Sequence, residues 1–317
     1  MTSRIITADA LDGLRQIESK SVDCCVTSPP YFGLRDYGHD KQIGLEETPE
    51  LYIERLVDVF REVRRVLADD GTLWVVIGDS YAGSGKGGAK YPENAGRYKQ
   101  GTNRGMVGIT AVTKVGWGEC KCKDLIGIPW MLAFALRADA WYLRSDIIWN
   151  KKNPMPESVR DRPTRTHEYI FLLSKSKQYY FDSEAIKEPA IWKDDRRAGQ
   201  GRLHYRNGKR TGGEGEGQEN FVSIKDTRNK RSVWTVATRP YKEAHFATYP
   251  PDLIRPCILA GSRKGGTVLD PFLGSGTTAV VAIEEERNYI GIEINAQYVA
   301  ISEKRIAGLY PQMKLSV

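Results

Sequence analysis

Hydrophobic and polar positions alternate in blocks along the chain and predict short strands separated by helices. An apolar run over 21–27 ends at Ser28-Pro29-Pro30, which predicts a buried strand because proline cannot donate to a strand ladder. Apolar residues then recur at helical spacing over 51–67, so a helix is expected there. Asp70-Gly71 is predicted to end this helix, and the run over 72–77 predicts a second strand.

The same alternation continues to the C-terminal part of the chain. It predicts a helix over 125–137, strands over 142–149 and 169–173, a strand over 267–270, a helix over 277–286, a strand over 288–294 and a helix over 297–306. Because strands alternate with helices, we expect an α/β fold with a mostly parallel, twisted sheet and helices on both faces.

Two polar segments interrupt this pattern. Residues 82–118 are rich in Gly, Lys and Asn, and residues 193–231 hold 11 Lys and Arg against 6 Asp and Glu. Neither segment has the apolar content to fold by itself. We therefore predict one domain, formed by 1–192 (with the insert 82–118) and 232–317, which a basic insert at 193–231 interrupts.

Composition narrows the class of protein. The 317 residues carry a formal net charge of +7, which suits an anionic partner such as nucleic acid. No apolar run is long enough for a bilayer, no signal-peptide core is visible, and five cysteines form no disulfide framework. A cytoplasmic protein with no membrane role is expected. Cys120 and Cys122 resemble half of a metal site but lack a second pair, so no metal is expected.

A glycine-rich turn, Asp270-Pro271-Phe272-Leu273-Gly274-Ser275-Gly276-Thr277-Thr278, joins a predicted strand to a predicted helix. Glycines let the backbone approach a ligand, and a helix N-terminus offers free N–H groups. Glu293 follows at the end of the next strand, where a carboxylate can accept hydrogen bonds from both hydroxyls of a ribose. These residues predict a nucleoside-containing cofactor. NAD stays open, because Gly274, Gly276 and Ala279 also satisfy the dinucleotide pattern.

The second chemical cluster, Thr27-Ser28-Pro29-Pro30-Tyr31, follows the first predicted strand. The prolines can direct the Ser28 hydroxyl and the Pro29 carbonyl outward as acceptors, and Tyr31 can stack on a base. An exocyclic amine is a poor nucleophile, and two acceptors on its N–H groups would free its lone pair for attack. An ordinary Pro-Pro turn is the alternative. Both clusters would share one crevice if their strands were neighbours.

With Ser-Pro-Pro-Tyr early and Asp-Pro-Phe-Leu-Gly-Ser-Gly-Thr-Thr late, the chain resembles the β-group of amino-methylating DNA methyltransferases. The resemblance implies a Rossmann-like methyltransferase fold with permuted motif order, S-adenosyl-L-methionine as cofactor and double-stranded DNA as partner. In that family the Ser-Pro-Pro-Tyr form is associated mainly with N4 of cytosine, and the Asp or Asn form mainly with N6 of adenine. The physics allows both amines, so adenine stays an alternative.

The resemblance also assigns roles to residues of this sequence. Catalytic roles fall on Ser28, Pro29, Pro30 and Tyr31, and cofactor contacts fall on Asp9, Ala10, Phe246, Asp270, Phe272, Gly274, Gly276, Thr277 and Glu293. Asp9 could instead be a helix N-cap, and Phe246 could be a core residue. The stretch through Trp149-Asn150-Lys151 to Asn153-Pro154 also resembles the family, with its role open.

In that family the basic insert at 193–231 is expected to recognise the DNA target. Its candidate DNA contacts are Arg196, Arg197, Arg202, Arg206, Lys209 and Arg210, although each alone could belong to a solvated surface. A cognate restriction endonuclease is a candidate partner. Two rival classes remain: an NAD-dependent dehydrogenase leaves Ser28-Pro29-Pro30-Tyr31 unexplained, and a non-enzymatic DNA-binding protein leaves the glycine-rich turn unexplained.

Overall fold

The computed structural model describes residues 3–34, 39, 41–82, 120–190, 205–206, 209–210, 226–238 and 249–309. The chain divides into a larger unit, Met1–Asp182 with Ser232–Val317, and a smaller unit, Ser183–Arg231. The smaller unit begins ten residues before the predicted insert. In the described part of the chain, no helix is both long and apolar enough to cross a membrane.

The elements follow one another in an α/β order. They are β1 (Arg4–Thr7), α1 (Ala10–Arg15), β2 (Val22–Thr27), α2 (Pro49–Val66), β3 (Leu67–Ile77), α3 (Ile128–Ala138), β4 (Tyr142–Lys151), β5 (His167–Ser174), β6 (Glu188–Pro189), β7 (Tyr205–Arg206), β8 (Lys209–Arg210), β9 (Thr227–Arg228), β10 (Val233–Val236), α4 (Pro251–Gly261), β11 (Thr267–Asp270), α5 (Thr277–Glu284), β12 (Asn288–Glu293) and α6 (Ala296–Ala307).

The larger unit contains an eight-stranded sheet in the order β1-β12-β11-β2-β3-β5-β4-β10. Every neighbouring pair is parallel except the two that involve β5, which is antiparallel to β3 and β4. The predicted α/β fold with a mostly parallel sheet is therefore confirmed. In the smaller unit, β6 pairs with β9 and β7 pairs with β8.

β2 is buried on both of its faces, as a central strand of a parallel sheet should be. Cys25 belongs to the apolar core that includes residues of α1, α2 and α3. The next side chain along, Cys24, points the other way and lies against Gly261 of α4. The short apolar run in the sequence is thus explained by helices on both sides of the strand.

Two predicted boundaries were wrong. α2 ends at Val66 and β3 begins immediately at Leu67, so Asp70-Gly71 lies inside the strand. The pairing of β2 with β3 is irregular here, and Gly71 lies close to the Asp23 carbonyl, where a Cβ would be 3.1 Å from that oxygen. α3 begins at Ile128, three residues later than predicted, because Gly127 adopts a left-handed φ of 87° before the helix.

Four elements of the larger unit, β1, α1, α4 and β10, were not predicted from the sequence, and neither were the two-residue strands β6 to β9 of the smaller unit. β1 and β10 have four residues each and α1 has six, so each is too short to show a clear hydrophobic period. α4 contains Pro251 and Pro256, which obscured its apolar stripe.

Candidate active site

The two chemical clusters lie on neighbouring strands. β2 and β11 pair in parallel, with Val268 opposite Cys24 and Leu269 opposite Cys25. Their carboxyl ends therefore reach the same edge of the sheet, and the loops that follow Thr27 and Asp270 leave the sheet side by side. The adjacency on which the sequence argument depended is present in the structure.

Asp270 supports this junction from a buried position. Its Oδ1 accepts from the Thr27 hydroxyl at 2.6 Å and from the Phe272 amide at 3.0 Å, and its Oδ2 accepts from the hydroxyls of Thr278 at 2.6 Å and Tyr249 at 2.9 Å. Burial raises the pKa of Asp270, and these hydrogen bonds oppose the rise. With four protein donors on its carboxylate, Asp270 shapes the glycine-rich turn.

The turn itself requires glycine. Gly274 and Gly276 adopt φ values of 55° and 81°, which are strained for other residues, and a Cβ on Gly276 would lie 2.9 Å from the Ser302 Cβ. Two side chains of α6 hold the turn by hydrogen bonds to its carbonyls. The Ser302 hydroxyl donates to the Gly274 carbonyl at 2.7 Å, and Arg305 donates to the Ser275 carbonyl at 2.7 Å.

Thr277 is the buried first residue of α5, and its hydroxyl accepts from Arg305 at 3.2 Å. Ser302 and Arg305 were not predicted as site residues. The sequence signal for their role was weak: Ser302 and Arg305 are three residues apart on the predicted final helix, a spacing that places two residues on one helix face.

Glu293 ends β12 and accepts backbone hydrogen bonds on both carboxylate oxygens, from Gly274 N and from Asn295 N, each at 2.8 Å. Burial raises the pKa of Glu293, and the two backbone bonds oppose the rise. Ile294, the residue after Glu293, lines a cavity of about 290 Å³ together with Asp9, His39 and Lys41. A half-buried carboxylate beside an open cavity and a glycine turn suits the ribose and base of a nucleoside.

Asp9 has the structural role that the sequence analysis offered as an alternative. Its Oδ1 accepts from the amides of Leu11 and Asp12, at 3.0 and 3.1 Å, and so caps α1. Asp9 nevertheless lines the cavity, where its Oδ2 lies 3.4 Å from the Lys41 ammonium. Ala10 is the buried first residue of α1, and Phe272 is half-buried against the apolar core.

The loop after β2 is held by hydrogen bonds from distant elements. The Tyr52 hydroxyl donates to the Pro30 carbonyl at 2.8 Å, and the Tyr31 hydroxyl donates to Glu168 of β5 at 2.6 Å. Within the described ranges, no donor bonds to the Pro29 carbonyl. Ser28 is half-buried and Pro29 is buried. The loop backbone is therefore fixed at Pro30 while the Pro29 carbonyl keeps its acceptor capacity.

Tyr31 is positioned by its surroundings. Burial and the charge of Glu168 raise the pKa of Tyr31 well above its usual value, and a hydrogen bond with Ser28 opposes the rise. The ring packs on Gly78, where a Cβ would lie 2.7 Å from the Tyr31 Cε2 atom. Glu168 in turn forms an ion pair with Lys151, whose ammonium lies 4.9 Å from the centre of the Trp149 ring.

Sequence reasoning missed Gly78 and Glu168. Each offered a signal: Gly78 directly follows the predicted strand over 72–77, and Glu168 is a carboxylate next to an apolar run. Neither signal shows that the two residues meet Tyr31.

Several predicted site residues cannot be placed. Phe246, Arg196, Arg197 and Arg202 lie outside the described residues. For Arg206, Lys209 and Arg210 only the backbone is described, as the strands β7 and β8, in which Arg206 is opposite Lys209. Their predicted contacts with cofactor or DNA stay predictions.

Comparison with known proteins agrees with this geometry. A sequence model of the N6/N4 methyltransferase family, described as DNA methylase, matches residues 22–304. Type II methyltransferase M.Cfr9I of Citrobacter freundii is 50% identical over 304 residues, which cover 96% of this chain and 87% of the relative. Type II methyltransferase M.SmaI of Serratia marcescens is 49% identical over 307 residues, which cover 96% and 90%.

Solved structures share the fold at low sequence identity. The PvuII DNA methyltransferase, described as cytosine-N4-specific, superposes with a TM-score of 0.63 at 17% identity, covering 96% of this chain and 86% of that one. A Thermus thermophilus protein complexed with S-adenosyl-L-methionine gives a TM-score of 0.57 at 22% identity, covering 96% and 93%. The predicted Rossmann-like methyltransferase fold is confirmed.

Proposed function

This chain belongs to the N6/N4 family of DNA methylases, and from that premise we propose that it methylates N4 of cytosine at a specific site in double-stranded DNA. Family membership removes the two rival classes, an NAD-dependent dehydrogenase and a non-enzymatic DNA-binding protein. The cofactor is S-adenosyl-L-methionine. The choice of base is the part of the proposal that needs its own argument.

The observation that carries the choice is Ser28 at the start of the loop after β2, beside the glycine-rich turn that follows β11. In the resembling family, a serine at this position is associated mainly with cytosine, and a carboxylate or amide mainly with adenine. The cytosine-N4 description of the PvuII enzyme, which has the same fold, is consistent with this choice.

The residues around Glu293 suit the cofactor. When bound, S-adenosyl-L-methionine supplies an electrophilic methyl group on a sulfonium. Glu293 can accept hydrogen bonds from the ribose, and the cavity lined by Asp9 and Ile294 can hold the nucleoside base. Gly274 and Gly276, kept free of side chains, let the turn backbone approach the ligand.

The residues after β2 act on the target base. The Ser28 hydroxyl and the Pro29 carbonyl accept hydrogen bonds from the exocyclic amine, which favours a pyramidal nitrogen with a directed lone pair. Tyr31 offers its ring for stacking once the base leaves the duplex, a step that costs a few kcal/mol. Gly78 and Glu168 hold Tyr31 in place for that contact.

The base can be identified directly. Plasmid DNA is methylated by the protein in a host without methylases of its own, digested to nucleosides and analysed by mass spectrometry. N4-methyldeoxycytidine is the expected product. N6-methyldeoxyadenosine would reassign the target to adenine, for which the same acceptors suffice, and the absence of both products would contradict the proposal. DNA from cells that express Ser28→Ala is the matched control.

Target recognition is assigned, within the same proposal, to residues 193–231. Their excess of Lys and Arg suits phosphate and guanine contacts, and Arg206, Lys209 and Arg210 are the candidates with a described backbone. Replacing each with Ala should weaken binding to target DNA, and a change confined to the target sequence would mark base readout. By analogy with the Type II names of its relatives, we expect that a restriction endonuclease of the same specificity accompanies this protein. We also expect that the protein acts on DNA in the cytoplasm.

A further inference from the structure

The loop between β4 and β5 exposes an apolar side chain to an unusual extent. Met155 is 84% exposed, and no other large hydrophobic residue in the described part of the chain exceeds 59%. Pro154 and Pro156 flank it. A lone exposed apolar residue is common on protein surfaces, so its meaning depends on where it lies and how it is supported.

This loop leaves the sheet at the same edge as the active site. β3 and β4 are both antiparallel to β5, so β4 runs in the same direction as β2 and β3. The end of β4 at Lys151 and the start of β5 at His167 therefore lie at the edge that carries Ser28. Lys151, where the loop begins, forms an ion pair with Glu168, and Glu168 also accepts a hydrogen bond from Tyr31. The start of the loop is thus connected to the residue proposed to stack on the target nucleobase.

Hydrogen bonds fix the loop before Met155, at Asn153, and after it, at Glu157. The Asn153 side chain accepts from the Thr238 amide and hydroxyl, at 2.8 and 3.1 Å, and donates to the Thr238 carbonyl at 3.2 Å. On the other side, Glu157 accepts from the Arg162 side chain at 2.7 Å and from the Arg165 amide at 3.3 Å.

The three residues between these supports are Pro154, Met155 and Pro156, and proline restricts the backbone dihedral φ. The restricted backbone of this segment therefore holds the Met155 side chain in solvent. A more flexible loop could have buried that side chain against the protein surface.

The loop carries exposed positive charge on both sides of Met155 in the sequence, and its two acidic residues are paired, Glu157 with Arg162 and Asp161 with Lys123. Lys152 and Arg160, both exposed, lie on the two arms of the loop. Such cations suit the phosphates on either side of an opened base step. The combination of a protruding apolar residue with flanking cations fits duplex DNA better than it fits an apolar protein partner.

We propose that Met155 inserts into the base stack of the duplex and fills the space that the extruded target base leaves. Apolar side chains, methionine among them, are known to act as wedges between base steps, and the contact offsets part of the cost of unstacking. The assignment rests on the proposed function, since it requires a base that leaves the helix, but it does not depend on which base is methylated.

The test compares two duplexes that carry the recognition site, which is first mapped on a methylated plasmid. One duplex pairs the target base normally, and the other places it opposite an abasic position, where extrusion costs less. Met155→Ala should lower kcat/KM on the paired duplex about tenfold and on the abasic duplex by less than about twofold. Met155→Leu, which keeps the apolar volume, should retain most of the activity on both.

Tyr142→Ala is the matched control, because Tyr142 is an exposed hydrophobic residue at the opposite end of β4. It should leave kcat/KM unchanged on both duplexes. Unchanged activity of Met155→Ala on the paired duplex, or an equal loss on both duplexes, would overturn the wedge. A wild-type protein that methylates neither duplex would instead contradict the proposed function, and the wedge would fall with it.

Discussion

The Thr27 hydroxyl donates a 2.6 Å hydrogen bond to the Asp270 carboxylate, although the two residues are 243 positions apart in the chain. Thr27 ends the strand that precedes the Ser28-Pro29-Pro30-Tyr31 loop, and Asp270 ends the strand that precedes the glycine-rich turn. This bond, buried with both of its partners, holds the two loops of the candidate site in register.

Thr27→Val should destabilise the protein. The substitution keeps the shape of the side chain but leaves Asp270 with one donor fewer in a buried position, which should lower the free energy of unfolding by about 1–3 kcal/mol. Denaturant unfolding measures the change. Thr7→Val, at an exposed strand position, should stay within about 0.5 kcal/mol of the wild type. Equal effects at the two positions would contradict the role given to the Thr27–Asp270 bond.

Ser28→Ala should impair methyl transfer without loss of cofactor binding. Removal of one preorganised hydrogen-bonding group at a reacting atom typically costs about a hundredfold in kcat. Single-turnover methylation gives the rate, and isothermal titration gives the Kd for S-adenosyl-L-methionine. Full turnover by Ser28→Ala would show that the catalytic assignment is wrong.

The pH dependence of cofactor binding should follow Glu293. Burial raises the pKa of this carboxyl, so mild acid protonates it sooner than it protonates an ordinary glutamate. A protonated Glu293 accepts fewer hydrogen bonds, and the Kd for S-adenosyl-L-methionine should therefore rise as the pH falls. Glu293→Gln should bind more weakly at neutral pH and lose this dependence. Parallel pH profiles for the two proteins would exclude Glu293 as the titrating group.

Glu168→Ala should lower kcat through Tyr31. Without its acceptor the Tyr31 ring is free to shift, and small misplacements at a reacting centre cost about tenfold to a hundredfold. Glu168→Gln keeps an acceptor for the Tyr31 hydroxyl and should recover most of the loss, while both variants keep the wild-type Kd for the cofactor. A purely structural role would reduce folded protein and cofactor binding in both variants alike.

No cysteine should take part in the reaction. Cys24 and Cys25 are buried in β2, where burial raises the pKa of Cys24 to about 12 and that of Cys25 well above its usual value. Iodoacetamide should modify the exposed Cys122 in the folded protein and leave Cys24, Cys25 and Cys257 unmodified, with methyl transfer retained. Modification of denatured protein, which should reach all five thiols, is the control. Inactivation that parallels modification of Cys25 would point to a covalent mechanism.

The predicted chemistry of the candidate site depends largely on short stretches of sequence. Ser28-Pro29-Pro30-Tyr31 after an apolar run and Gly274-Ser275-Gly276 before a helix each specify a local backbone, and local backbone depends on the residues that form it. Glu293 was located in the same way, from the end of a strand. Where a local motif had two uses, as at Asp9, the sequence offered the N-cap and the cofactor contact without choosing between them.

Hydrophobic periodicity determined the fold class, because strands and helices bury their apolar faces at different spacings. The partners across the sheet were decided by tertiary structure alone. The contacts of Tyr31 with Glu168, of Ser302 with Gly274 and of Thr27 with Asp270 join residues that no local pattern connects. The sequence of each segment determines which chemical groups it carries. Packing of the whole sheet determines which segments meet, because the free energy of burial depends on the total apolar area and not on any one pair of residues.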